Sequence, residues 1–157
     1  MKTTLAIAAL SVISLCVANT ATAASDYKFK NIGAFTATGS ITVTAAAVSL
    51  PCTTVLTGST TSGTAITGAS FSGLSCLLLV GSNLPWKMHA IAAHGFKMNG
   101  VEVSALVLGI CGPGNIKAQL NEAGVIAISG AGLPGLVPCS VEGSMTTSPK
   151  LLILPRK

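Results

Sequence analysis

The chain has 157 residues, with nine Lys and Arg against four Asp and Glu and a formal net charge of +5. Half of its residues are hydrophobic, 4% are aromatic and 8% are charged, about a third of the roughly 25% charged residues of ordinary soluble domains. That balance speaks against intrinsic disorder and against a cytosolic α/β enzyme, and leaves room for one domain.

The first element is an export leader over residues 1–23. Lys2 is a positive n-region, Leu5 to Val17 is an apolar run, and Ala21-Thr22-Ala23 has the small-x-small form of a cleavage site. The apolar run is too short to span about 30 Å of hydrocarbon. Leu15 precedes Cys16 where lipidation needs a small residue. Residues 24–157 are then one secreted domain, extracellular or retained at the bacterial surface. No later run is long and apolar enough for a transmembrane helix. The remaining Lys and Arg are scattered, which excludes a nucleic-acid footprint.

Beyond the leader, short apolar runs alternate with Gly, Ser, Thr, Pro and Asn. From Ser40 to Ala47 the period is two, with Ile41, Val43, Ala45 and Ala47 on one face and Thr42 and Thr44 on the other. Pro51 breaks this run and Cys52 to Leu56 resumes it. Gly58 to Thr64 reads as a turn. Ala65 to Phe71 and Cys76 to Val80 read as strands, and the unbroken apolar run Leu77 to Val80 predicts burial on both faces. Leu84-Pro85-Trp86 reads as a loop entering a strand over Lys87 to Ala93. Asn99-Gly100 is a hairpin signal ahead of a strand over Val101 to Ile110, and Cys111-Gly112-Pro113-Gly114 is a further turn. Ile116, Ala118 and Leu120 alternate with Lys117 and Gln119, and Asn121 to Gly124 makes a hairpin into Val125 to Ser129. Gly130 to Pro138 is a loop. Cys139 to Met145 and Leu151 to Leu154 close the chain. About nine short strands, with turn signals every 8–12 residues or so, fit a sandwich or a barrel; we expect an immunoglobulin-like β-sandwich.

Four cysteines follow the leader: Cys52, Cys76, Cys111 and Cys139. In an exported chain they predict two disulfides, with three connectivities open. We expect Cys52–Cys76 and Cys111–Cys139, because sequence-near pairs close the smallest loops. There is no C-x-x-C, and His89 and His94 are far from each Cys pair, so no metal site is expected.

Chemistry-bearing patterns are sparse. His89 and His94 stand five apart, on opposite faces of a strand. Glu102 and Glu142 are the two acids that strands would carry into a pair. No G-x-S-x-G elbow is present, and Gly112-Pro113-Gly114 precedes no helix, so it is no phosphate loop. We expect no enzyme, no catalytic residues and no cofactor. Trp86 plugs the core under its loop or, with Leu84 and Pro85, forms an apolar contact loop. The low charge leaves Thr, Ser, Gly and apolar area at the surface, which fits oil, a hydrophobic partner or a second copy. A long uncharged edge strand such as Ser40 to Val48 would invite edge pairing.

The succession FTATGSITVT from Phe35, then Leu50-Pro51-Cys52-Thr53, Phe71-Ser72-Gly73 ahead of Cys76, Leu84-Pro85-Trp86, Cys111-Gly112 and Cys139-Ser140-Val141-Glu142-Gly143 resembles the small secreted bacterial alkane oxidation protein activators (PRA, PraB-like). The resemblance covers nearly all of the chain beyond the leader. It implies an extracellular, non-enzymatic protein that assists growth on long-chain alkanes by dispersing or delivering oil, in a family also associated with the cell surface and biofilm. It carries no catalytic residues over. The function expected is therefore accessory, acting by interfacial adsorption or delivery of hydrophobic substrate. The alternative is a self-assembling adhesin or biofilm matrix subunit.

Overall fold

The computed structural model describes residues 26–157, and the regular elements there are strands. The expected leader lies outside the described residues. In chain order the strands are β1 (Tyr27–Phe29), β2 (Ala34–Ala45), β3 (Val48–Ser59), β4 (Ala65–Ser72), β5 (Val80–Ser82), β6 (Trp86–Ala90), β7 (Gly95–Ala105), β8 (Gly109–Leu120), β9 (Val125–Leu133), β10 (Cys139–Ser148) and β11 (Ile153–Pro155).

The expected sandwich is replaced by a closed barrel. Eight antiparallel strands run in the order β7-β6-β4-β3-β2-β10-β9-β8, and β8 pairs back onto β7. Each wall strand lies beside its neighbour in sequence, and β10 closes onto β2. β5 and β6 share one edge of β7, so they are two halves of one wall strand broken by Asn83-Leu84-Pro85. The strand over Ser40 to Val48 is no edge, because β2 is paired with β3 on one side and β10 on the other. Closure pairs most of the wall backbone and leaves two short-paired seams, β4–β6 and β8–β9, each joined through two residue pairs, so little edge is left to recruit another chain.

The strands are also longer than expected; β2, β3 and β8 have 12 residues each. Residues that signal turns sit inside them as bends. Asn99-Gly100 is a bulge within β7, with Gly100 at φ 76°, and an extra residue of β8 sits across from it between Cys111 and Gly114. Each bulge switches which alternate residues face inward. Phe96 and Met98 give way to Val101, Val103 and Ala105; Cys111 gives way to Ile116, Ala118 and Leu120. Pro51 lies inside β3 at a level where β2 pairs with it and β4 does not, an edge position that a missing N–H tolerates. Gly39 and Gly143 let β2 and β10 approach closely, since a Cβ at either would overlap the carbonyl of Ser144 or Ser40. Such bends give a long sheet the curvature to close.

Inward residues fill the barrel. Phe35, Ile41, Val43, Leu56, Ile66, Trp86, Met98, Val103, Ile116, Ile128, Val141 and Met145 form one core, with a central apolar void of about 20 Å³. The β1–β11 ribbon covers one end, where Phe29 meets Phe96 edge to face, centroids 5.6 Å apart. Buried Thr147 ties this end together. Its Oγ1 donates to Gly124 O (2.8 Å) and accepts from Leu151 N (2.9 Å).

Candidate functional site

The strand directions gather four connections at the end opposite the ribbon. They are the β2–β3 turn (46–47), the β4–β5 loop (73–79), the β7–β8 turn (106–108) and the β9–β10 loop (134–138). None of them carries a charged residue. Among the described residues, ten of the twelve exposed large hydrophobic side chains lie in these connections or on the strand residues beside them.

Each loop presents its apolar residues for a local reason. In the β4–β5 loop, Cys76 N donates to Gly73 O and Leu79 N donates to Cys76 O, each at 3.0 Å. This tight turn points Cys76 and Leu79 inward and leaves Leu77 and Leu78 in water. Leu74 is 97% exposed. The β7–β8 turn closes with Leu108 N donating to Ala105 O at 3.2 Å, which places Leu106 and Val107 at its apex and Ile110 just below. The β9–β10 loop is fixed by Gly112 N donating to Pro134 O at 2.6 Å and by a bridge between Cys111 and Gly135; Leu136 at its tip is fully exposed.

The disulfides anchor these loops, and the expected pairs form. Cys52 of β3 joins Cys76 of the β4–β5 loop, and Cys111 of β8 joins Cys139 at the start of β10; all four are buried. They close loops of 24 and 28 residues, each worth about 3.5 kcal/mol by chain-entropy reasoning. Cys76 and Cys139 are thereby tied to the barrel wall, while Leu77, Leu78 and Leu136 near them stay exposed. A contiguous exposed apolar surface of this kind is a candidate interaction surface.

Other sequence-singled residues fall elsewhere. Trp86 is 3% exposed and donates its indole N–H to Ser82 O at 2.8 Å; Leu84 packs on the core and Pro85 is exposed. Trp86 therefore belongs to the core rather than to a contact loop. The run Leu77 to Val80, expected to be buried on both faces, is largely exposed except at Leu79. Glu102 accepts from Ser82 Oγ at 2.5 Å on β7, while Glu142 is on β10. Two strands lie between them, three inter-strand steps of about 4.8 Å, so they form no acid–base pair. His89 and His94 are exposed. No group of three or more His, Cys, Asp and Glu among the described residues is placed to hold a metal, and no helix there is long and apolar enough to cross a membrane.

Leu74, Leu106, Val107, Leu136 and Val137 were not singled out from the sequence. The signal was there: apolar residues at turn positions, beside Gly73, Gly109 and Gly135, where polar ones are usual.

The family model for alkane oxidation protein activators, PraA/PraB-like, matches residues 1–155. The chain belongs to this family. Neither the curated proteins nor the solved structures give a significant match. The family is described as an activator of alkane oxidation and not by a reaction it catalyses. In this member of the family the cysteines of the resemblance hold the apolar end, and its LPW segment lies in the barrel wall.

Proposed function

We propose that this activator is an exported accessory protein that adsorbs by its apolar end onto hydrocarbon surfaces and acts without catalysis. The observation that carries the reading is the concentration of exposed leucine, valine and isoleucine at one charge-free, disulfide-anchored end. Moving one exposed leucine from water into oil is favourable by about 1.5–3 kcal/mol, so Leu74, Leu106 and Leu136 together suffice for stable attachment. Export is supported by the leader pattern of residues 1–23 and by the disulfides, which persist in oxidising compartments. Encapsulated delivery is not supported, because the central void of about 20 Å³ is near the size of a single water.

The test is pendant-drop tensiometry at a hexadecane–water interface. The native protein should lower the tension, and the Leu74→Ser/Leu106→Ser/Leu136→Ser variant should have lost most of that effect. Equal activity of the two proteins would falsify adsorption through this end.

The adhesin or matrix reading has little edge to pair, since each wall strand has a hydrogen-bonded neighbour on both sides and open backbone is confined to the β4–β6 and β8–β9 seams. Its remaining route is end-to-end association of the apolar surfaces, which light scattering at micromolar concentration would detect.

A further inference from the structure

The half of the barrel away from the apolar end is basic, and its basic residues are not spread evenly. On the outer face, register places His89 of β6 opposite Lys97 of β7, and Lys97 opposite Lys117 of β8. The next row joins Lys87, Asn99 and Asn115. Directly opposed side chains have Cβ atoms about 5 Å apart, and like charges so placed are destabilising. No acidic residue stands on either row to offset them.

The basic surface continues on the other side of β6. There a groove of about 790 Å³ runs between β6, the β1–β11 ribbon and the start of β4, with Lys28, Lys87, His89 and Arg156 on its walls and no acid. Hydroxyls of Ser59, Ser62, Thr64 and Thr67 line the same groove. The two acids at this end, Asp26 and Glu122, lie on neither the rows nor the groove.

We propose that this face binds an anionic polysaccharide. The spaced cations suit charges carried along a chain, and the hydroxyls and the exposed Asn115 side chain suit sugar hydroxyl groups. A nucleic acid is the less suitable polyanion, because single strands are held on exposed aromatic platforms and none of the six aromatic residues is exposed. A ligand here and oil at the far end would occupy opposite ends, so one molecule would hold both. The glycan site does not depend on the oil reading, and its test contains no oil.

The experiment is fluorescence anisotropy of labelled oligosaccharides titrated with the purified disulfide-bonded protein at low salt. Polyuronate and phosphorylated glucan distinguish carboxylate from phosphate charge, and neutral dextran is the control. Binding of either anionic glycan, weakened at least tenfold by Lys97→Gln/Lys117→Gln and far less by Lys150→Gln, supports the site. The double variant should keep or raise the native Tm, since it removes a repulsion. No binding of the anionic glycans, equal losses in both variants, or tighter binding of an oligothymidylate of equal charge overturns the proposal.

Discussion

The indole N–H of Trp86 reaches the carbonyl oxygen of Ser82 at 2.8 Å across the break between β5 and β6. Ser82 in turn donates its hydroxyl to Glu102 on β7. One buried ring thus holds the two halves of a wall strand in line. Trp86→Phe leaves that carbonyl without its donor and should cost about 1–3 kcal/mol; Trp86→Ala should cost about 3–5 kcal/mol. Urea denaturation reads both. Interfacial activity of the folded Trp86→Phe protein should match the native protein, because the ring is not at the surface.

The leucines of the apolar end predict the opposite behaviour. Leu74→Ser, Leu106→Ser and Leu136→Ser remove side chains that are already in water, so each should change stability by less than about 0.5 kcal/mol. A large loss of Tm in any of them would mean that the residue packs against the fold and is not a free contact surface.

Removing one disulfide should separate anchoring from folding. Cys52→Ala/Cys76→Ala is expected to lose about 3.5 kcal/mol. Hydrogen exchange should then quicken in residues 73–79 while β8, β9 and β10 keep their protection. Uniform loss of protection would show that the link supports the whole barrel and not one loop.

Thr147 gives a test of the ribbon end. Thr147→Val keeps the shape and the bond from the backbone N–H of residue 147 to Gly124 O, but leaves Leu151 N without its acceptor, and should cost about 1–3 kcal/mol. Thr147→Ser retains the hydroxyl and should recover most of this in the same denaturation experiment.

Much of the local structure was legible in the sequence. Ile41, Val43 and Ala45 alternate with Thr42 and Thr44 because one face of β2 meets the core, and Ile116, Ala118 and Leu120 do the same on β8. The disulfide pairing followed from loop closure. Barrel closure did not, because a glycine that ends a strand and one that bends it look alike. Asn99-Gly100 carries a hairpin's residues, yet β7 runs through it. The candidate site was only partly legible for a related reason: the sequence leaves Trp86 open between core and contact loop, and predicts burial for Leu77 to Val80. Hydrophobicity marks both Leu77-Leu78 and Trp86 as apolar, but only the chain's path says which meets water. The turn at Gly73 to Leu79 sends the leucines out, and the hydrogen bond to Ser82 O turns the tryptophan in.

The pairing of each wall strand on both sides bears on the kind of layer this protein would make on a droplet. Proteins that unfold as they spread can knit together through newly bared backbone and set into an elastic skin. A molecule already closed on itself has little such backbone to offer beyond the β4–β6 and β8–β9 seams. Its layer should stay fluid, with a low dilational modulus under an oscillating drop, and protein displaced from the drop by a surfactant should return to the water still folded.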